Sequence, residues 1–451
     1  MEETPLEEGS TLKYAVLTWG CQMNERDSEI LAGILEALGY REAEDPRDAD
    51  VVLLNSCCVR ASAERKVLAK LREVLGWKRR RPEMIVGLCG CLPRRPGGAE
   101  ELKKWRGLDL LVGPGNLGDL PALLERCRRE DVPVVALDPE ERLTEGLPQL
   151  RRHPWKAWVT ITRGCDNWCS YCVVPHVRGR HQSRDPQAII QEVQDLVKRG
   201  YREVCLLGQN VNAYGRDLEA GVDFSWLLRR LDRIDGLLRI RYTTSHPRDF
   251  SPEMVETIAS CHKVCEHFHL PLQSGSDRIL RLMNRGYTQE QYIRLCEIIR
   301  REVPGASITT DIMVGFPGET EDDFRETLYV VRTVQFEAAF TFMYSPRPGT
   351  RAAAMQHQLP REVKLARLQE LVAVQKEITE RRNQALVGSV VEVIPDGPSR
   401  KDPHLLQGRT RTDKVVVFAG RLEMVGHPVS VLICQAGTWA LRGTLWEGVG
   451  G

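Results

Sequence analysis

Residues 157–172, AWVTITRGCDNWCSYC, place Cys165, Cys169 and Cys172 in a C-x3-C-x2-C array directly after a strand-like apolar run. Three thiolates on one short loop mark a metal site. Iron–sulfur clusters and structural zinc sites are normally closed by four protein ligands, so a loop that offers three leaves one metal position for another molecule. The alternative is a structural zinc with a distant fourth ligand, Cys205 or His176, although zinc ribbons favour two separated C-x2-C pairs.

From residue 157, strand-like runs alternate with amphipathic helical ones: AWVTIT, EVCLLG, RIRYTT, HFHLPL, SITTDIMVGF and AFTFMYS, spaced by segments such as QAIIQEVQDLVKRG. Six such β/α units over residues 151–380 predict an open, partial TIM barrel with its functional loops at the carboxyl ends of the strands. The cysteine loop follows the first strand. Gly208, Gln209 and Asn210 end the second, Ser245 the third, Gln273 and Ser274 the fourth, and Asp311 lies on the fifth.

Residues 12–137 alternate KYAVLTW, DVVLLN, MIVGL, DLLVG and VPVVAL with helical runs, which predicts a parallel α/β sheet. Cys21, Cys57 and Cys91 each follow one of its first three strands, so distant thiols converge on one sheet edge as a second three-cysteine site. Cys58 and Cys89 compete for two of those positions, and free cysteines also serve as small apolar core residues. Behind a charged helix over 361–385, residues 384–447 hold five short strands divided by Gly, Pro and Asp turns, the pattern of a small OB-like β-barrel. Its Arg409, Arg411, Lys414 and Arg421 suit either an RNA backbone or a structural cap. The predicted fold class is thus α/β, with a parallel-sheet domain, a central open (β/α)6 barrel and a terminal β-barrel.

At 451 residues the chain exceeds one ordinary core, and a net charge of +1 puts any nucleic-acid surface in local clusters such as RKVLAKLREVLGWKRRRP and RRHPWK. Either cluster is equally compatible with a solvated helix face. Fourteen cysteines, no signal peptide and no apolar run of membrane-spanning length predict a cytoplasmic protein whose clustered cysteines bind metal. Cys261 and Cys265 in CHKVC are read as packing residues.

With these segments in view, the chain resembles the methylthiotransferase family of radical S-adenosylmethionine (SAM) enzymes over nearly its whole length. WGCQMNERDSE, LLNSCCVR and GLCGCLP match its N-terminal pattern, and GCDNWCSYCVVPHVRGRHQSR its radical SAM loop. LLGQNVNAYG, RIRYTTSHP, HLPLQSGSDRILRLMNRGYT, DIMVGFPGET and YSPRPGTRAA resemble the tRNA-modifying MiaB branch. The resemblance implies a C-terminal TRAM domain and two 4Fe-4S clusters, one on Cys165, Cys169 and Cys172 and one on Cys21, Cys57 and Cys91.

It also implies methylthiolation of C2 of N6-(dimethylallyl)adenosine at position 37 of tRNA. Two SAM molecules would be used per turnover, one cleaved to a radical and one as methyl donor to a sulfur on the second cluster. A flavodoxin or ferredoxin reductant and an external sulfur donor follow. Gly208, Gln209, Asn210, Ser245, Gln273, Ser274 and Asp311 become SAM-contact candidates, and Tyr171 a ring to pack on its adenine. The competing readings are the same chemistry on a ribosomal-protein aspartate or on threonylcarbamoyladenosine in tRNA, and a non-catalytic, zinc-structured RNA-binding protein. GQNVNAYG argues against both other substrates.

Overall fold

The computed structural model describes residues 11–59, 61–138 and 145–447. Its first layer is a six-stranded, all-parallel sheet: β1 (Lys13–Trp19), β2 (Arg41–Glu42), β3 (Val51–Ser56), β4 (Ile85–Gly90), β5 (Leu110–Val112) and β6 (Val134–Ala136), in the order β2-β1-β3-β4-β5-β6. Every residue of β3 and β4 is buried, because helices cover both faces of a parallel sheet. The chain leaves β1 for β2 on one side and returns to β3 on the other. That reversal opens a crevice at the carboxyl ends of β1 and β3.

The second unit is an arc of six parallel strands: β7 (Lys156–Thr160), β10 (Glu203–Leu207), β11 (Arg239–Tyr242), β12 (His267–His269), β13 (Ser307–Val314) and β14 (Ala338–Met343). Two sheets, β11-β10-β7 and β12-β13-β14, meet through a bridge between Ile240 and Val264. Two short strands, β8 (Thr162–Arg163) and β9 (Gln182–Ser183), pair antiparallel and close the stem of the cysteine loop.

The helix Arg361–Gln384 leads to a closed barrel of β15 (Val390–Pro398), β16 (Leu406–Thr410), β17 (Val415–Phe418), β18 (Val429–Ala436) and β19 (Leu441–Leu445). All three units thus form as the residue patterns predict; among the described residues the short strands β2, β8 and β9 are additions.

Docking between the units uses residues that sequence reading assigned elsewhere. Two cations of RRHPWK, Arg151 and Lys156, lie in a seam between units. Arg151 pairs with Glu29 at 2.9 Å and with Glu192 at 2.6 Å, while Lys156 reaches Asp396 of the small barrel at 2.8 Å. Val173 and Val177, just beyond the cysteine loop, are buried in the apolar core of the N-terminal sheet. Burial of such side chains stabilises by about 1.5–3 kcal/mol each, which makes the loop part of both units.

Beneath the arc, Arg241 donates to the carbonyls of Thr410 (2.7 Å) and Arg411 (3.2 Å), and Arg239 to that of Arg409 (2.8 Å). The turn between β16 and β17 therefore plugs the amino-terminal mouth of the barrel. Among the described residues no helix is long and apolar enough to cross a membrane.

Candidate functional site

The cysteine loop leaves β8 at Gly164, whose φ of +66° and close approach to the Arg180 carbonyl (1.9 Å from a built Cβ) require glycine. The loop is pinned from several directions. Asn284 donates to the carbonyls of Asn167 (3.2 Å) and Trp168 (3.1 Å), Arg351 also reaches Trp168 (3.0 Å), and Ser170 exchanges backbone bonds with Met283 (3.0 Å) and Ala352 (2.8 Å).

Burial pushes the Cys165 thiol up to about 11 and that of Cys172 up to about 12. Thiols held that high are poor nucleophiles at neutral pH, so their fitting use is as ligands whose protons a metal displaces. Arg285, itself buried, donates to Cys169 Sγ at 3.4 Å and to the Tyr171 hydroxyl at 3.5 Å.

Around this loop the carboxyl ends of the first strands carry buried polar atoms with no protein partner: Thr162 Oγ1, Gln209 Oε1, Asn210 Oδ1, Ser245 Oγ and His246 Nε2. Orphaned buried groups cost about 1–3 kcal/mol each and so mark a polar ligand's place. Gly208 completes the cradle, since a Cβ there would lie 2.0 Å from Thr162 Oγ1. Thr244 and Gln273 hold φ of +69° and +67° at neighbouring strand ends, backbone strain of the kind that clusters at ligand sites. This donor set fits a molecule rich in amino, carboxylate and hydroxyl groups such as SAM.

Several expected contacts lie differently. The Ser274 hydroxyl faces Thr327 of the helix Glu321–Val334 at 3.4 Å and is committed to packing. Tyr171 packs on the apolar group of Ile279, Met283 and Phe316, so it shields the loop rather than presenting a stacking face. Asp311 sits inside the barrel, 3.6 Å from His269 Nε2 and in register with Phe340. The Asn residues of GQNVNAYG brace the following turn: Asn210 Nδ2 donates to Asp249 at 2.6 Å, and Asn212 exchanges bonds with His246, 2.9 Å each way. Sequence reading missed His246, Arg285 and Thr162; the SHP tripeptide at a strand end was the available signal for the first. Burial holds His246 neutral, down to about 2, with Nδ1 accepting from the Arg248 amide at 3.3 Å. The proton then sits on Nε2.

The second site assembles where the sheet reverses. Cys21 caps the helix Gln22–Ala37, Cys57 follows β3 and Cys91 follows β4. Asn24 and Asn55 lock the two loops together, Asn24 Nδ2 donating to Asn55 Oδ1 (3.1 Å) and Asn55 Nδ2 to the Asn24 carbonyl (2.8 Å). Of the two competitors, one leaves the edge and the other stays on it. Cys89 points into the core on the opposite face of the sheet, where burial pushes it up to about 12. Cys58 lies on the same face as Cys91 and hydrogen-bonds its sulfur. That bond, helped by the Arg178 charge, draws Cys91 down to about 7. Three thiols beside a buried guanidinium fit an anionic iron–sulfur cluster.

The zinc alternative finds no support: His176 is exposed against Trp168, and Cys205 is buried with Met23 and Leu207. Among the described residues no three His, Cys, Asp or Glu side chains close to the spacing of a single ion, a spacing that a cluster, which spreads its ligands over separate irons, does not need.

One segment spans both sites. After β14, Arg347 reaches Glu64 (3.0 Å) and the Val59 carbonyl (2.9 Å) beside Cys57, while Arg351 and Ala352 hold the carbonyls of Trp168 and Ser170. Residues 347–352 thus clasp the two cysteine loops to each other.

In the C-terminal barrel, Arg411 forks onto Glu266 at 2.6–3.0 Å and Lys414 bonds Glu337 and Asn383 at 2.7 Å each. Both are spent fastening the barrel to the arc, as a cap would, which removes them as free RNA contacts. Arg409 is half-exposed but paired with Asp413 at 3.1 Å, and Arg421 is exposed.

Comparison with known proteins bears on the family and the fold. The Radical SAM superfamily matches residues 159–329, and a family described as Uncharacterized protein family UPF0004 matches residues 13–113. The tRNA-2-methylthio-N(6)-dimethylallyladenosine synthase of Moorella thermoacetica is 50% identical over 96% of this chain and 98% of its own. That of Syntrophomonas wolfei is 47% identical over 98% and 99%. In fold, the radical SAM methyltransferase TsrM of Kitasatospora setae superposes with a TM-score of 0.56 at 17% identity, covering 76% of this chain and 75% of the other. The chain belongs to the tRNA-2-methylthio-N(6)-dimethylallyladenosine synthase family of radical SAM enzymes.

Proposed function

We propose that the protein places a methylthio group on C2 of N6-(dimethylallyl)adenosine at position 37 of tRNA, working in the cytoplasm with electrons from a flavodoxin or ferredoxin. The observation that carries this reading is the clasped pair of three-thiol sites, one ringed by orphaned polar atoms and one beside a buried cation. When bound, the cluster and SAM at Cys165, Cys169 and Cys172 supply one-electron hydrogen abstraction, and the cluster at Cys21, Cys57 and Cys91 supplies the sulfur. An unactivated aromatic C–H needs that chemistry, while the protein contributes position and shielding.

Each residue role follows from its place. Thr162, Gln209, Asn210 and Ser245 offer oxygens, and neutral His246 offers Nε2–H, to the polar groups of SAM; Gly208 lets it approach the strand end. Gln273, on its strained backbone, lines the same rim. Tyr171 and Arg285 keep water from the loop and hold Cys169. Residues 347–352 keep the two sites at one fixed separation, so that a single splayed adenine is served by both. An anticodon-loop base can be unstacked and read this way without a groove-reading helix. Of the four barrel cations named from the sequence, Arg421 is exposed and can meet the RNA backbone, with Arg409 once it leaves Asp413.

The test is nucleoside mass spectrometry of prenylated tRNA after anaerobic incubation with the iron- and sulfide-reconstituted protein, SAM and a low-potential reductant. The methylthio-adenosine product is expected. Cleaved SAM with unmodified tRNA would retain the radical machinery and overturn the substrate.

A further inference from the structure

Arg178 ends the short helix Val174–Arg178 just beyond the radical SAM cysteines, yet its guanidinium crosses into the N-terminal domain. Nε donates to Cys91 Sγ at 3.3 Å, and Nη2 donates to Asp27 Oδ2 at 2.6 Å. The Arg178 and Asp27 side chains are sealed, 3% and 1% exposed. Burying such a pair costs several kcal/mol per ion before their attraction is counted, so the geometry must serve more than surface stability. Asp27 fixes one edge of the guanidinium plane and thereby aims the other edge at the sulfur, as outer partners aim metal ligands elsewhere. Val173 and Val177, buried on the same segment, set the reach.

Hydrogen bonds to ligating sulfurs and nearby positive charge both stabilise the more negative, reduced state of an iron–sulfur cluster. The effect is strong where water is excluded. From this arrangement, which rests on reading Cys21, Cys57 and Cys91 as cluster ligands, we infer that Arg178 is a positioning residue that raises the reduction potential of the second cluster through its bond to Cys91. Because Arg178 is carried by the radical SAM loop, this tuning is present only when the two domains are docked. Asp27 acts with the opposite sign, tempering the charge it orients.

The test is an EPR-monitored redox titration of the full-length, reconstituted protein, with the second cluster's signal assigned by its survival in a Cys169→Ala background. Arg178→Gln is expected to move that signal to lower potential and leave the other cluster in place. Asp27→Asn is expected to move it higher, an opposition of signs that simple loosening of the fold would not give. An Arg178→Gln protein that holds both clusters and titrates with wild type overturns the inference.

Should Arg178→Gln shed the second cluster's iron, Arg178→Lys decides. Retention of that cluster near the wild-type potential supports the role of the cation, and loss there too shows a role in shape alone and overturns the inference. Wild-type protein that takes up only the cluster at Cys165, Cys169 and Cys172 would instead sink the reading of the second site itself.

Discussion

Cys165, Cys169 and Cys172 share one loop of the barrel, whereas Cys21, Cys57 and Cys91 are delivered by three strands of a different sheet. The first set is ringed by polar atoms without partners and by strained backbone; the second is braced by paired asparagines and a sealed arginine. The surroundings of the first set suit a polar molecule arriving from outside, and those of the second suit a charged inorganic group. The difference teaches that matching thiol counts do not imply matching roles. What surrounds the sulfurs assigns the work.

The largest expected effects break the two sites one at a time. Cys169→Ala should abolish formation of 5′-deoxyadenosine from SAM under reducing conditions; production above the no-enzyme level would dethrone the loop. Cys57→Ala should instead keep SAM cleavage and lose methylthiolation together with the second site's iron. Cys58→Ala sharpens the contrast, because Cys58 bonds Cys91 without being one of the three. It should still yield product, with cluster retention weakened about 10- to 100-fold, as when an outer partner is removed. If the Cys57 and Cys58 variants exchanged these outcomes, the ligand assignment would move to Cys58.

Breaking the link rather than either site is the next step down. Arg347→Ala frees the loop beside Cys57 from the clasp without touching a thiol. Cleavage of SAM should continue while methylthiolated tRNA formed per 5′-deoxyadenosine falls several-fold, about 1 kcal/mol of lost positioning. An unchanged ratio would mean that the clasp does not set the separation of the sites. On the loop side alone, Gly208→Ala brings a methyl against Thr162 Oγ1 and should weaken SAM binding about tenfold, near 1.4 kcal/mol, by calorimetry on the reconstituted protein.

The same contrast explains what the sequence disclosed. The loop grouping was legible because its three cysteines are local, and the second because strand ends of a parallel sheet share an edge. Which of Cys57 or Cys58, and of Cys89 or Cys91, faced that edge depended on pleat and turn geometry, and there the family pattern rather than periodicity chose. Strand-end position also offered Ser274 and Tyr171 as SAM contacts, yet both turn into packing, because position along a strand does not tell which way the following turn aims a side chain. Arg178 and Arg285 act across long separations that no local pattern encodes. The cations of the small barrel mislead for the same reason: Arg411 and Lys414 look like an RNA face until their carboxylates arrive from the arc.

That correction yields the smallest effect and the one that isolates the barrel from both cysteine sites. Arg411 is anchored on Glu266 and on the carbonyls of His262 and Val264, so Arg411→Ala should lower unfolding stability by about 2 kcal/mol through lost docking. Arg421 is exposed, so Arg421→Ala should leave stability unchanged. If it meets a phosphate, its loss should weaken tRNA binding evenly across sequences and reduce the salt dependence of affinity by about one charge. Thermal melts and tRNA titrations at several salt concentrations on the two variants separate the roles. Were Arg411→Ala to reduce the salt slope without altering the melt, its pairing with Glu266 would be exchanged for RNA in solution, and the plug beneath the barrel would be a surface that opens. Removing the whole small barrel cannot make this distinction, because deletion also uncovers Arg239 and Arg241, whose donors end on its carbonyls.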